Sequence, residues 1–296
     1  MRIGLVGLCA CVVLVAGVPP RQQGAPQVAW RPELPKQGSL VVVGVRAAVR
    51  DSFVAVAGEL GGVPLKFERF GAWFQAVGGV PLDARERLPV RIVVDRADGT
   101  HDTLATAMVI AVLNAPRSRL RVAQRFVDPP DSLAPRLRAE QEVVRDLKRR
   151  ALDPPRLWSG RFAPPRPNPV IARFGVTRTY NGRVTSRHLG VDFASPKGAT
   201  VRATNDAVVA YVGDFYYNGT SVFLHHGAGL LTGYLHLTRA LVAPGDTVRR
   251  GQPVGEVGST GRSVGPHLHW FASYGEVTVD PLDLLTLDLG SPLHAR

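Results

Sequence analysis

Gly265-Pro266-His267-Leu268-His269-Trp270 is the stretch on which the reading of this chain turns. Proline cannot donate to a sheet ladder and is tolerated at the first residue of a strand, so a strand is expected to begin directly after Pro266. Side chains on a strand repeat every second residue, which places His267 and His269 on one face, pointing into the same cleft. Outward from this point, residues 170–285 are rich in Val, Thr and Gly, with turn signals every ten residues or so, the pattern of an antiparallel β-domain. Two further patterns lie inside it, His188-Leu189-Gly190-Val191-Asp192 and Tyr234-Leu235-His236-Leu237, and six of the chain's 8 histidines fall between His188 and His269.

That concentration points to metal chemistry. A catalytic zinc takes three protein ligands of nitrogen and oxygen type and leaves its fourth position for water. Two histidines and one aspartate meet that need, and further histidines nearby can move protons near neutral pH. A single histidine in a β-domain is more often a satisfied polar residue, so the spacing alone does not assign the ligands.

From Phe174 to Pro281 the chain resembles the LytM/lysostaphin-type zinc endopeptidase family. Its histidine followed four residues later by aspartate matches His188 and Asp192, and its terminal histidine-x-histidine matches His267 and His269. The glycine-punctuated approach, residues 248–265, also looks like the family's. The resemblance implies that His188, Asp192 and His269 bind Zn2+, and that His236 and His267 are catalytic without being ligands. One of these two would act as general base and the other would stabilise the oxyanion. Tyr180, eight residues before His188, is a candidate for the family's transition-state tyrosine. The implied activity is hydrolysis of peptide cross-links in bacterial peptidoglycan, with stem peptides and cross-links as partners. Tyr180-Asn181-Gly182 and residues 214–219 look like the form in secreted Gram-negative enzymes, which favours the D-alanyl to diaminopimelate bond. Two positions depart from the family pattern: His225 stands where an aspartate usually precedes the next histidine, and Leu235 fills a position often small or polar. A different class of function is a catalytically inactive LytM-like wall-binding activator of a separate amidase. A third, a biotinyl- or lipoyl-type carrier domain, lacks a modification lysine at a hairpin tip.

The front of the chain reads differently. Short β-prone runs at residues 39–45, 53–56, 65–67, 72–77 and 90–95 are separated by Gly, Pro and Asp, and Asp98-Gly99 signals a hairpin. Residues 27–127 are therefore expected to form a small β-sandwich, the N-terminal domain that such family members often carry. Leu133, Leu137, Val144, Leu147 and Ala151 recur at helical spacing and predict an amphipathic helix over residues 132–152. Its basic face reads as solvated. Asp153-Pro154-Pro155 ends it, and the Pro-rich residues 164–169 predict a stiff linker. The expected order is a mostly β chain: 27–127 sandwich, 130–169 helix and linker, 170–287 peptidase domain. With His101 as its one histidine, the front half is expected to restrict or direct the peptidase domain.

Arg2 followed by an apolar run from Ile3 to Val18 follows the grammar of a signal peptide, so residues 1–18 are expected to direct export to the periplasm or cell envelope, or outside the cell. Cleavage near Gly17 would remove Cys9 and Cys11, the only 2 cysteines, and with them all disulfide chemistry. Lipidation at Cys11 is the alternative end of that segment. A net charge of +12 and a pI of about 10.6 favour polyanionic partners. No nucleic-acid-binding motif is present and export argues against that partner, so the basic character fits a cell wall bearing carboxylates and phosphates.

Overall fold

The computed structural model describes residues 26–46, 53–289, 291 and 293; the expected leader, residues 1–18, with Cys9 and Cys11, lies outside the described residues. The front half forms two four-stranded antiparallel sheets. One has the spatial order Gln27–Arg31, Leu40–Arg46, Trp73–Gly79, Glu68–Phe70. The other has the order Val63–Leu65, Phe53–Leu60, Arg87–Arg96, His101–Val109. The Arg87–Arg96 strand buries Leu88, Val90, Ile92 and Val94 and turns its alternate residues outward, the period-two pattern of a strand with one covered face. Residues 40–45 are buried without a break, because their strand is central in its sheet and covered on both sides. The Asp98-Gly99 hairpin forms as its chemistry demands: Asp98 Oδ1 accepts from the Thr100 amide at 2.9 Å and from its hydroxyl at 2.6 Å, and Gly99 takes a φ of 83°.

Strand Arg117–Leu120 pairs with neither front sheet; it runs parallel to Thr177–Tyr180, which in turn pairs with Val184–Arg187. Helix α1, Ala134–Arg150, follows, with a proline in its first turn where no backbone donor is needed. Val143, Val144, Leu147 and the following Ala151 pack on Phe215, Phe223, Leu231, Leu235 and Phe271 of the second half. Its basic face is largely neutralised within the helix by Arg136–Glu140, Arg145–Glu142 and Arg150–Asp146 pairs.

The Pro-rich residues 164–169 lie hydrogen-bonded along the second half. The Ala194 and Arg202 amides donate to the carbonyls of Pro169 and Pro165, and Trp158 and Phe162 just upstream are buried. Proline has no N–H but keeps a full acceptor, so an extended proline run can serve as the rim of a sheet.

The second half is a ten-stranded sheet whose main path runs Val170–Ala172, Gly190–Ala194, His267–Tyr274, Leu230–Ala240, Gly219–Gly227, Ala207–Phe215, Thr247–Val248, every pair antiparallel. The two halves are joined by polar contacts as well as packing. The Tyr274 hydroxyl donates to the Pro64 carbonyl at 2.8 Å, the Leu40 amide donates to Asp283 Oδ2 at 2.8 Å, and Val277 and Val279 press on Gly79. None of the described helices is long and apolar enough to cross a membrane.

Candidate metal centre

Strand pairing assembles the site. Gly190–Ala194 lies antiparallel to His267–Tyr274 with Asp192 opposite His269 and Ala194 opposite His267, so the aspartate and the histidine pair meet across one ladder. Residues 267 and 269 share a face, as the period of the strand requires. His188 enters from the turn before Gly190–Ala194, held by its amide on the Val176 carbonyl at 2.8 Å. Gly190 makes room for the arrangement: a Cβ there would stand 2.5 Å from His269 Nε2 and 2.5 Å from the Trp270 carbonyl.

His188 Nε2, Asp192 Oδ1 and His269 Nδ1 converge. The separations are 3.0 Å for His188 to Asp192, 2.8 Å for His269 to Asp192 and 3.0 Å between the two histidines. His188 Nδ1 donates to the Arg173 carbonyl at 2.8 Å, which leaves Nε2 as a bare lone pair. At most one proton, on His269 Nδ1, is then available among three acceptors, and it can relieve only one of three close approaches. A cation at their centre satisfies all three, and two imidazoles with a carboxylate are a donor set suited to zinc. These residues could therefore hold a metal ion.

The second carboxylate oxygen is also engaged: the Arg178 guanidinium donates to Asp192 Oδ2 at 2.5 Å, both side chains being largely covered. Burial by itself raises the Asp192 carboxyl, but the facing nitrogens and charges of His188 and His269 overcome it and hold the group well below the usual carboxylate range. Burial pushes His269 down to about 4, against the pull of Asp192.

His236 and His267 stand beside this cluster. Their ring centroids are 5.0 Å apart, and His236 lies 5.9 Å from the His269 ring. His236 sits where the Leu230–Ala240 strand changes partner, from His267–Tyr274 at Leu235 to Pro253–Val257 at Leu237. Its φ is 62°, the left-handed region that costs a side-chain-bearing residue about 1 kcal/mol or more. Strain of this kind persists where the surroundings over-determine it, and here those surroundings are the site. His236 Nδ1 donates to the Thr260 carbonyl at 2.8 Å and His267 Nδ1 to the Gly265 carbonyl at 2.8 Å, so each leaves Nε2 as a lone pair. His267 Nε2 is 3.7 Å from Asp192 Oδ1. Burial, followed by the nearby His269 and His267 charges, pushes His236 down to about 3.

His226, near in sequence, is a contrast. His226 is sealed in the sheet with both nitrogens occupied, Nδ1 by the Asp206 carbonyl and Nε2 by Thr232 Oγ1, each at 2.9 Å. The site opens into a cleft of about 160 Å³ lined by His188, His236 and His269 together with Arg178, Tyr180, Arg187, Leu235, Tyr217 and Arg262. Tyr180 is thus at the cleft, and Tyr217 faces it as a second tyrosine. Sequence reasoning missed Arg178, whose alternate position in Thr177–Tyr180 carried no motif, and Tyr217. Arg262 stood in plain view inside the glycine-punctuated stretch. A roomier cavity of about 440 Å³ lies under α1 and shares Tyr217 and Asn218 with the cleft, but holds no group of the metal centre.

With this geometry in hand, the comparison with known families is decisive: the sequence profile of Peptidase family M23 matches residues 186–281, spanning all five of these residues. Residues 186–281 are an M23 peptidase domain. The chain is 40% identical over 109 residues to the peptidoglycan DD-endopeptidase ShyA of Vibrio cholerae, covering 34% of this chain and 25% of that protein. It is 37% identical over 127 residues to an uncharacterized metalloprotease of Haemophilus influenzae, covering 42% of this chain and 24% of the other. The match thus spans about a quarter of the length of these curated relatives. A solved Pseudomonas aeruginosa structure, described as a candidate M23 peptidase, superposes with a TM-score of 0.64 at 27% identity, covering 85% of this chain and 94% of its own. That likeness reaches well beyond the M23 domain into the front half.

Proposed function

We propose that this protein is a zinc-dependent endopeptidase that hydrolyses peptide cross-links of bacterial peptidoglycan in the cell envelope. The observation that carries the proposal is the convergence of His188 Nε2, Asp192 Oδ1 and His269 Nδ1 on one point, with two histidines beside it whose Nε2 lone pairs are uncommitted. Bound there, zinc supplies the Lewis acidity that makes water acidic near neutrality and an amide carbonyl electrophilic. Of His236 and His267, one would take the proton of the attacking water at Nε2 and pass it to the departing amine, while the other would stabilise the oxyanion. Their Nδ1 bonds to backbone carbonyls fix which nitrogen does this work. Arg178 holds Asp192 from the side away from the histidines. The names of the M23 relatives support peptidoglycan as substrate, and the favoured bond is D-alanyl to diaminopimelate.

Purified sacculi incubated with the zinc-loaded chain should release uncross-linked peptides identifiable by mass spectrometry, and chelation should stop the release. Bound sacculi without new ends, with stimulation of a separate amidase, would instead support the inactive-activator reading.

The front half restricts access in this proposal. Val122 exchanges two hydrogen bonds with the Asn181 side chain at 3.0 and 2.9 Å on one wall of the cleft. Three and four residues on, Arg125 and Phe126 meet the other wall: the Tyr216 hydroxyl donates to the Arg125 carbonyl, and Phe126 packs 5.3 Å from the Tyr216 ring and 6.5 Å from that of Tyr217. Residues 121–126 therefore strap the walls together at the Tyr180–Tyr217 end. A chain beginning near Arg161 should digest sacculi severalfold faster than the full-length chain without its leader; equal or slower digestion leaves targeting or spacing as the role of the front half.

A further inference from the structure

We infer that Arg262 is a specificity-determining residue that binds a carboxylate of the peptide substrate, an inference resting on the endopeptidase reading above. Its guanidinium stands 4.2 Å from the Tyr180 ring centroid and 4.6 Å from that of Tyr217. These rings belong to the two walls of the cleft, so the cation is held between them at the cleft that contains the metal centre. Its backbone is anchored too, the Arg262 amide donating to the Tyr217 carbonyl at 2.8 Å.

Aromatic faces hold a guanidinium through the ring quadrupole and leave its in-plane N–H donors free. No carboxylate among the described residues pairs with Arg262. The other cations of the cleft are disposed differently. Arg178 is committed to Asp192, whereas the exposed Arg187 guanidinium has, among the described residues, one hydrogen bond, to Thr177 Oγ1 at 3.3 Å. The one carboxylate of the metal centre is already surrounded by His188, His269 and Arg178. The cleft therefore offers an oriented planar fork, a second exposed guanidinium on the Tyr180 side, and no free anion of its own to meet them. A carboxylate accepts such a fork through two parallel bonds. Because the two tyrosines hold the guanidinium before substrate arrives, little side-chain freedom is lost on binding. The recognised substrate is a peptide carrying a carboxylate close to the bond that is cut.

The test compares a cross-linked peptide dimer purified from digested cell wall with the same dimer after its carboxyl groups are converted to carboxamides. With the full zinc-loaded chain, KM for the free acid is expected to be roughly tenfold or more below that for the amide, with kcat changed far less. Arg262→Gln should abolish this preference, and Arg262→Lys, which keeps the charge without the planar fork, should retain only part of it. An unchanged kcat for the amide dimer in both variants shows that the loop whose Thr260 and Gly265 carbonyls hold His236 and His267 is intact, and zinc content shows that the metal site is filled. Calorimetric binding of the two dimers to the His188→Ala chain reads the same preference without turnover. Equal handling of acid and amide by the wild type, or an undiminished preference in Arg262→Gln, overturns the inference and leaves the endopeptidase reading standing. Selective binding of the acid with no cleavage by the wild type sustains the role of Arg262 and sinks the endopeptidase reading.

Discussion

The front sandwich and the ten-stranded sheet are built from the same kind of antiparallel strand, yet they bury different things. Among the described residues of the two front sheets, the covered polar side chain is Gln75; the second half covers His188, Asp192, Ser195, Thr204, Asn205, Ser221, His226, Thr232, His236, His267 and Ser273. Burying polar groups opposes folding unless each finds a partner. His226, Thr232, Thr204 and Tyr234 satisfy one another, and so account for themselves as structure. The metal centre does not close in this way: three acceptors crowd together and two imidazoles face them with lone pairs. The difference separates a region selected for packing from one that holds unfavourable groups in place for chemistry.

The sharpest way to break this comparison is to remove a converging donor. Asp192→Ala and His188→Ala should each empty the metal site by elemental analysis and lower sacculus digestion by about a thousandfold or more. Full zinc occupancy in both variants would mean that the donors have been misassigned. His236→Ala and His267→Ala should retain zinc while the rate falls by about 10²–10⁴-fold, the usual worth of a positioned acid or base. Near-normal turnover in either variant would place that histidine with His226, among the structural ones.

A core position of the front sandwich should answer in stability and leave the metal site unchanged. Ile92 is fully buried among apolar neighbours, and Ile92→Ala should cost about 2–5 kcal/mol in denaturant unfolding while zinc content stays unchanged. Loss of metal in that variant would show that the two halves do not respond separately.

The smallest effect lies at the seam between them. Burial pushes the Asp283 carboxyl up to about 7, with Asp280 adding to the rise, and the Leu40 amide and Lys36 opposing it. The folded state therefore binds this proton more tightly than the unfolded chain does. Its contribution is complete below the ordinary carboxylate range and is lost as pH rises through about 7. Unfolding midpoints should fall between about pH 5 and about pH 8 by an amount equivalent to about 1–2 kcal/mol, after allowance for partial exposure. Asp283→Asn keeps an acceptor for the Leu40 amide and should flatten that fall; an unchanged slope would assign the pH response elsewhere.

Much of this was legible in the linear chain because the signals are local. Alternation exposed the Arg87–Arg96 strand, Asp98-Gly99 its hairpin, and the i, i+3, i+4 spacing helix α1. Three strands escaped: Gln27–Arg31, Glu68–Phe70 and Arg117–Leu120 are short and partly exposed, and carry little periodic pattern to read. The Pro-rich stretch read as a stiff linker because its missing donors are visible in sequence, whereas the sheet amides that bond to its carbonyls are not.

By itself the sequence determined the residue types and their local spacing: histidine and aspartate four apart, two histidines on one strand face, a β-rich chain with one amphipathic helix. Those are consequences of strand and helix periods and of the resemblance its motifs carry. Only the tertiary structure decided which groups meet. The ladder that sets Asp192 opposite His269, the strained strand residue His236 beside its neighbours, Arg178 behind the carboxylate and Arg262 between two tyrosines each join residues distant in the chain. Such meetings depend on strand register and on which loops face one another across a sheet, and neither is set by any short stretch of residues.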